Sequence, residues 1–343
     1  MKICQAVLSF RDLGRALSLN SENHYSHCMI FDTSFVSNSG SPSEICRLAV
    51  KAEALGFNAV WMAHDLLWDN AWVICGAIAN STSRVKVGPG IVNPYSCSLP
   101  EIAMAAASLE NLSNGRCMLG IGPGAKRLLL DGNISQTQVI SRLGEAVRYL
   151  KETLTPDAGI LKIDMKKTIP IYVGGQSPRL LEHIGRWGAG ALPLLTPPSY
   201  ASKAFALMKR GAEETGIELK KRDLVASLLV SLAKDENKAM KTFADFITSI
   251  LRHLSPRQLH ELQMSREDVA EVVRRYSEEG WETLPSKVYE LGAVGVENCI
   301  KAFEEVADAE FTRAKFGGPL GPDREIALEI FAKDVVPHFK SID

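Results

Sequence analysis

Short runs of β-branched residues alternate with longer segments of helical period along most of this chain. Four such runs are HCMIFDTSF at 27–35, NAVWM at 58–62, VKVGPGIV at 85–92 and RCMLGIG at 116–122. They are spaced by about 30 residues, which suits a strand followed by a crossover helix. This alternation is typical of a parallel sheet covered by helices.

The alternation continues beyond a polar, lysine-rich stretch, with strand patterns at 169–173, 190–192, 224–232 and 311–316. The run LVASLLVSL is continuously apolar, which is typical of a strand covered on both faces. Residues 237–286 have a helical period and many charges, so we expect a helical insertion there and not a second domain. The fold class predicted is α/β, a single (β/α)8 TIM barrel domain over 1–343, with an N-terminal extension over 1–26.

The first helix has a clear start and stop, because Ser43 can cap it and Gly56 can end it. Further helices are predicted near 69–80, 99–112, 138–155, 178–186, 199–215, 297–306 and 323–339. A doubly wound sheet has the same alternation but needs GxGxxG directly after its first strand. The loop there reads SNSGSPS, and the nearest match, Gly120-x-Gly122-x-Gly124, follows the fourth strand and lacks the last glycine. The barrel is therefore favoured.

Composition excludes several classes of partner. The 343 residues are 46% hydrophobic and 23% charged with a net charge of -1, so no basic surface favours nucleic acid. The apolar runs are shorter than the roughly 18 residues of a membrane helix, and charged residues interrupt the first apolar stretch before it could act as a secretion signal. Seven cysteines without CxxC spacing and seven histidines without HxxxH spacing indicate reduced thiols and no metal site. We expect a cytoplasmic protein.

Reactive groups of an α/β barrel lie at the carboxyl ends of its strands. The residues in that position are Asp32, Ser34, His64, Asp65, Gly88–Tyr95, Gly120–Lys126, Gly174–Ser177 and Gly317–Gly321. Several of these segments are rich in glycine, which lets a flat ring or a phosphate approach the backbone. A ligand site of that kind is therefore expected at this end of the barrel.

One strand end, VGGQSP, has the pattern of a phosphate site. Two glycines end the strand, and Ser177 and Pro178 begin a helix whose free N–H groups and dipole would face an anion. An ordinary strand-to-helix turn has the same pattern. In GPGIVNPY, Pro89 removes a sheet donor and Gly90 weakens packing, which indicates either a bulge or an early strand end.

The pair His64-Asp65 ends the second strand. A histidine beside a carboxylate can donate a proton or bind the edge of a ring. A histidine satisfied by its own neighbours is the alternative. Because consecutive strand residues point in different directions, at most one of the two side chains is expected to face the site.

Taken together, these segments resemble one family. The stretches that carry the resemblance are AEALGFNAVWMAHD, VKVGPGIVNPYSCSLPEIAMAAASLENLSNGRCMLGIGPGAK, IPIYVGGQSPRLLEHIGRWGAGAL and FGGPLGPDREIALEIF. They are similar to the luciferase-like monooxygenase superfamily, and within it to the methylenetetrahydromethanopterin reductases, which use the deazaflavin coenzyme F420. The resemblance covers roughly residues 28–235 and 295–339, and the helical insertion matches poorly.

The resemblance implies a cofactor at the carboxyl ends of the strands, with a non-prolyl cis peptide at Gly90–Ile91 behind its ring. It places the phosphate on Gly174, Gly175 and Gln176, and Lys126 matches a family lysine. The cofactor-binding residues inferred in this way are Gly90, Ile91, Asn93, Gly122, Gly124, Lys126, Gly174, Gly175, Gln176 and Ser177. The resemblance also implies a homodimer or a higher homo-oligomer.

Two departures from the family concern the chemistry. The chain reads His64-Asp65 where the deazaflavin enzymes usually read Asp-His, and Ser34 where the reductases carry a glutamate. The catalytic candidates are therefore Asp65, His64 and Ser34. A one-residue shift of the second strand would turn its large apolar side chains to the wrong face, so Asp65 is expected nearer the cofactor. With an aspartate in the place of the usual histidine, we expect weak or altered reductase activity.

The function predicted is an F420-dependent oxidoreductase that passes a hydride to or from a one-carbon pterin-like or related small substrate. One alternative is an FMN-dependent luciferase-like monooxygenase, since the same barrel hosts oxygen chemistry. Another is a non-catalytic cofactor-binding or partner protein, which the missing acid and the divergent insertion favour.

Overall fold

The structure is a computed structural model that describes residues 28–339, apart from 221–222 and 255. The expected extension over 1–26 lies outside the described residues. The described strands are β1 (Ile30–Phe35), β2 (Ala59–Met62), β3 (Lys86–Pro89), β4 (Leu119–Ile121), β5 (Ile171–Val173), β6 (Gly190–Ala191), β7 (Val225–Ser231), β8 (Ala293–Val294) and β9 (Arg313–Leu320).

The described α-helices alternate with these strands. They are α1 (Pro42–Ala54), α2 (Ala71–Ser81), α3 (Leu99–Leu112), α4 (Lys126–Asp131), α5 (Val139–Thr153), α6 (Pro178–Trp187), α7 (Pro198–Glu213), α8 (Glu236–Leu251), α9 (Pro256–Glu261), α10 (Arg266–Glu278), α11 (Ser286–Tyr289), α12 (Val296–Asp308) and α13 (Arg324–Ile330).

The strands pair in parallel and form two sheets, in the orders β3-β2-β1-β9-β7-β8 and β4-β5-β6. Isolated parallel bridges run between the two sheets: Val87 to Cys117, Val92 to Ile121, and Ala191 to Leu224. The predicted α/β fold with a parallel sheet is confirmed.

Alternation along each strand separates an outer from an inner face. In β1, Phe31 and Phe35 pack outward in the large hydrophobic cluster shared with the helices, whereas Asp32 points inward to Trp61 of β2. On the outer side, the rings of Phe316 and Phe331 stack with centroids 4.3 Å apart, which ties β9 to the turn after α13. The polar inward positions therefore lie inside a well-packed apolar shell.

A smaller cluster, which we call the inner cluster, joins residues of the two sheets on their inner faces. Its members are Ala59, Trp61, Met118, Tyr172, Leu192 and Val225, with Ile91 partly buried against them. They come from β2, β5 and β7 and from the residues that adjoin β4 and β6, so this cluster is a floor beneath the carboxyl ends of the strands.

The helices of the predicted insertion have a hydrophobic cluster of their own. Phe243, Ile247 and Leu251 on one face of α8 pack with Val269 and Val288 of the following helices. The described residues of 237–286 form helices and turns and no strand, as the sequence pattern predicts.

One local prediction is wrong, and two short elements have no counterpart in the sequence analysis. Ser41, and not Ser43, caps α1: its hydroxyl accepts from the Glu44 N–H at 3.4 Å, while a Glu44 carboxylate oxygen accepts from the Ser41 N–H at 2.7 Å. Pro42 takes the first helical position, where its missing N–H costs nothing, and this moves the start two residues upstream. The short elements β8 and α4 were not predicted.

The last strand also runs further than predicted. β9 continues through the Gly317–Gly321 segment expected as a loop and ends at Leu320, which pairs with Ser231 beyond an irregularity in β7. A cis peptide precedes Pro319 in this stretch. Glycine and proline normally punctuate a strand, so the local sequence favours an earlier end, and only the pairing with β7 sets the observed one.

Candidate active site at the carboxyl ends of the strands

The backbone after β3 makes a non-prolyl cis peptide between Gly90 and Ile91, as predicted. A Cβ atom on Gly120, Gly122 or Gly174 would lie 3.1, 3.0 or 2.8 Å from the Ile91 side chain. The contact at Gly174 is a clash, and a Cβ on Gly120 would also lie 2.5 Å from the Pro89 carbonyl oxygen; a Cβ on Gly122 would fit only if the Ile91 side chain shifted. The glycines of β4 and β5 therefore make room for Ile91, which stays partly exposed above the inner cluster.

Gly90 itself packs on that floor. A Cβ atom there would lie 3.1 Å from both Leu192 Cδ2 and Trp61 Cβ. The segment Gly90–Ile91 is thus held from below by an indole and from the side by glycine backbone. This arrangement gives a rigid apolar surface suited to the face of a flat ring.

Asn93 holds the loop that follows. Its Oδ1 accepts from the N–H groups of Tyr95 and Ser96 at 3.0 and 2.9 Å. Gly124 has a φ of 72°, and a Cβ there would lie 3.2 Å from the Asn93 side chain. These two predicted residues lie together, and the asparagine oxygen is occupied within its own turn.

The predicted phosphate site lies between β5 and α6. Ser177 caps α6 by accepting from the Leu180 N–H at 3.4 Å. Within the described part of the chain, the backbone N–H groups of Gly175, Gln176 and Ser177 have no hydrogen-bond partner, and neither has the buried Oε1 of Gln176. Gln176 is buried, and Gly175 and Ser177 are half-buried. Their N–H groups lie at the positive end of the helix, where they are available to an anion.

Lys126 is the first residue of α4, and its side chain is exposed. No hydrogen bond or ion pair connects it to the Gly175–Ser177 segment among the described residues. The structure therefore brings Gly174, Gly175, Gln176 and Ser177 together and shows no bond between Lys126 and them among the described residues.

The side chains of His64 and Asp65 point to different neighbours, as expected for consecutive residues. Ser37, in the loop after β1, donates its hydroxyl to Asp65 Oδ2 at 2.6 Å. His64 Nδ1 accepts from the N–H of Ala71 at the start of α2, at 3.4 Å. Burial lowers the pKa of His64, against the opposing effect of Asp65, so the imidazole is neutral at pH 7.

A buried ionic layer lies beneath the site, and sequence reasoning missed it. The Asp32 carboxylate accepts from Asn58 Nδ2 at 3.0 Å, from Trp61 Nε1 at 2.8 Å and from Arg313 Nε at 2.9 Å. Arg313 Nη1 donates to the hydroxyl of Tyr172 at 2.6 Å. Burial raises the pKa of Tyr172 to about 12, so this hydroxyl stays protonated. Asp32 is therefore fully paired and is not a free acid.

One signal could have revealed this layer. In RAKFGG the cationic residues alternate with the apolar Ala314 and Phe316. A strand whose apolar face packs on helices turns its other face inward, so Arg313 and Lys315 had to lie among the inner residues.

Two surface grooves lie elsewhere on the molecule. One, of about 610 Å³, is bordered by Gln138 and by Arg179, His183 and Trp187 of α6 and its end. The other, of about 570 Å³, lies beside Tyr95 and Arg142. Neither includes the strand-end glycines, so groove size does not identify the site described above. Among the described residues there is also no group of three or more His, Cys, Asp or Glu side chains able to hold a metal ion.

The chain is similar to proteins of known activity. Residues 26–312 match the family model described as luciferase-like monooxygenase. The 5,10-methylenetetrahydromethanopterin reductase of Archaeoglobus fulgidus is 26% identical over 311 residues, which cover 84% of this chain and 93% of the relative. The F420-dependent glucose-6-phosphate dehydrogenase of Amycolatopsis mediterranei is 25% identical over 330 residues, covering 88% and 96%.

The fold is also similar to that of a solved structure. The coenzyme F420 dependent tetrahydromethanopterin reductase from Methanopyrus kandleri superimposes with a TM-score of 0.77 at 22% identity, covering 92% of this chain and all of that one. In the described part of the chain, no helix is both long and apolar enough to cross a membrane.

Proposed function

The chain belongs to the luciferase-like monooxygenase family, and from that premise we propose that it is an F420-dependent oxidoreductase acting on a one-carbon pterin-like or related small substrate. The observation that carries the proposal is that the N–H groups of Gly175–Ser177 have no partner among the described residues and lie at the same strand ends as the Gly90–Ile91 surface. A deazaflavin nucleotide needs both a flat apolar surface for its ring and a binding site for its phosphate. Relatives that use F420 support this cofactor.

The fold proposal is a closed barrel. The isolated bridges support closure of β1 to β7 and β9 into a (β/α)8 barrel, with β8 as an additional short strand at the end of β7. The whole chain is then one domain over 1–343, and the helices from α8 to α11 are an insertion between two barrel strands. All the proposed site residues lie on the side of the barrel where the strands end.

The residues of this chain fit such a cofactor. A Cβ on Gly175 would lie 2.1 Å from Leu180 Cδ2, so glycine keeps the phosphate loop tight against α6. Gly174, Gly175, Gln176 and Ser177 would hold the phosphate, and Lys126 would reach it only through its long side chain.

At the ring, Gly90 and Ile91 would support one face, and Asp65 or His64 would bind an edge. Asn93, Gly122 and Gly124 would shape the adjoining loops. When bound, the deazaflavin supplies hydride chemistry. The part of the protein is to fix the orientation of the ring, to exclude water and to hold a proton near the reacting atoms.

We expect the purified protein to bind oxidised F420 at least about tenfold more tightly than FMN, a difference of about 1.4 kcal/mol. Fluorescence titration with each cofactor measures both constants on the same preparation. Tighter binding of FMN would favour the monooxygenase alternative, and binding of neither would refute the proposed function.

We expect only weak turnover of methylenetetrahydromethanopterin with F420, because Asp65 lies where the family usually has histidine. An ionised carboxylate near the ring disfavours an anionic reduced ring. Replacing Asp65→Asn should then change the turnover by at least about tenfold, the lower range of acid–base effects. The matched control is Asp69→Asn, an exposed aspartate of the same loop, which should change it less than about twofold. Robust turnover that survives Asp65→Asn would contradict both the β2 register that places Asp65 near the cofactor and the role of Asp65 at the ring.

A further inference from the structure

β9 turns two cationic side chains toward the inside of the barrel, and only one of them is neutralised. Arg313 pairs with Asp32 at 2.8 Å, and Trp61 and Asn58 complete the carboxylate's partners. Lys315 stands next to Asp32 across the β1–β9 pairing, but its ammonium makes no hydrogen bond or ion pair within the described residues. The Asp32–Arg313 pair is neutral as a unit, so Lys315 is a surplus charge.

Lys315 leans toward the carboxyl end of the strand, where the cofactor site is proposed. Its Cε lies 3.6 Å from the position that a Cβ on Gly317 would take, two residues further along β9. Ser34 Oγ lies 3.5 Å from the same position. Lys315 and Ser34 are each only 8% exposed. The Lys315 residue is therefore more than nine-tenths buried, and its side chain points into the region that the missing family acid would occupy.

Two hydroxyl groups beside Lys315 also lack partners. Ser227 is paired with Lys315 across β7 and β9, and its fully buried Oγ has no hydrogen-bond partner in the described structure. Ser34 Oγ likewise makes no hydrogen bond to a described residue. Of these three groups, the Ser227 hydroxyl is fully buried, and the Lys315 and Ser34 residues are nearly so. Polar groups in such surroundings cost stability when they have no partner, and such a cost is retained where a ligand satisfies the groups.

We propose that Lys315, Ser34 and Ser227 form an oxygen-binding subsite, so that the substrate is a carbonyl compound or the corresponding alcohol and not a cationic one-carbon pterin. This inference rests on the proposed function, which supplies the reduced cofactor as hydride donor. An ammonium group stabilises an oxygen that gains negative charge and repels a carbon that carries positive charge, as in an iminium ion. The positive charge of Lys315 therefore favours a carbonyl compound or an alcohol as the substrate.

The chemistry balances with Lys315 as the acid. When the carbonyl carbon gains a hydride, a C–H bond forms and the π-electron pair of the C=O bond moves to the oxygen. The Lys315 ammonium then gives that oxygen a proton, an O–H bond forms, and the resulting amine regains a proton from water. Burial lowers the pKa of Lys315 to about 8, opposed by Asp32, which suits a group that gives up a proton near neutral pH.

The test compares Lys315→Met with Lys315→Arg and with Lys333→Met, which removes an exposed lysine after α13. Acetate serves as the probe of the subsite and is titrated by calorimetry without cofactor. We expect Lys315→Met to lose at least about tenfold in acetate affinity, with Lys315→Arg and Lys333→Met staying within a few-fold of the parent. We also expect Lys315→Met to raise the melting temperature by at least about 2 °C, because it removes a buried charge without a partner.

Turnover with F420 provides the second comparison. Cyclohexanone reduction should fall at least about 100-fold in Lys315→Met, within the range of general acid effects, while the affinity for oxidised F420 stays within about twofold. Unchanged acetate affinity in Lys315→Met, or a lower melting temperature, would overturn the subsite. Failure of the parent protein to bind F420 would instead overturn the proposed function, and the acetate titration would still decide the subsite.

Discussion

Replacing Gly175→Val is expected to weaken F420 binding by at least about 100-fold, or about 2.7 kcal/mol. Gly175 has a φ of 150°, which side chains rarely adopt, and a Cβ there would lie 2.1 Å from Leu180 Cδ2. The loop must therefore move, and the N–H groups of Gln176 and Ser177 would no longer converge on the phosphate. Fluorescence titration of the variant with oxidised F420 measures the loss.

A control separates the loss of the phosphate site from backbone strain alone. Gly216 also has a positive φ, 67°, but nothing lies within 4 Å of the position of its Cβ. Gly216→Val should cost stability by about 1–2 kcal/mol through strain and leave the F420 affinity within about twofold. Equal affinity in Gly175→Val and the parent would show that the phosphate binds elsewhere.

Replacing Arg313→Met should lower the free energy of unfolding by about 3–5 kcal/mol. The substitution leaves the Asp32 carboxylate, which is fully buried, without its charged partner, and it leaves the Tyr172 hydroxyl without a donor. Lys315 stays nearby but makes no hydrogen bond to this carboxylate. A buried carboxylate that loses its hydrogen-bonded cation costs far more than the lost attraction of an exposed pair. Urea unfolding monitored by circular dichroism gives the difference.

The exposed pair Arg127–Asp131, on α4, is the matched control. Arg127→Met should cost no more than about 0.5 kcal/mol, since water already screens that pair. The double replacement of Asp32→Asn with Arg313→Met should lose less stability than Arg313→Met alone, because the buried carboxylate that lost its hydrogen-bonded cation is then gone as well. A loss in Arg313→Met as small as in Arg127→Met would mean that the buried pair contributes nothing to stability.

Some features of the site could be predicted because they are local. Proline and glycine in GPG indicated unusual backbone at Gly90, and the family resemblance supplied the cis bond with Ile91. Glycines followed by serine and proline indicated the start of α6 and its cap. In each case, neighbouring residues restrict the backbone whatever the rest of the chain does.

Other features depend on contacts between distant residues. Asp32 and Arg313 are 281 positions apart and meet only because β1 pairs with β9. Asp65 accepts a hydrogen bond from Ser37, which lies in a different loop. Even the cap of α1 was misplaced, because Ser41 and Ser43 carry the same local signal and Pro42 decides between them. Pairing and register, which a single sequence does not state, determine these contacts.

The pairing of β1 with β9 also has a consequence for how the chain is made. Thr33 donates its hydroxyl to the carbonyl of Phe316, a contact that spans 283 residues. At a synthesis rate of about 5–20 residues per second, the first strand leaves the ribosome roughly 15–60 s before its partner exists. During that time β1 has an unpaired edge next to the apolar side chains of Phe31 and Phe35. The nascent chain is therefore exposed to aggregation until its last strand emerges, and a chaperone that covers this edge would raise the yield of folded protein.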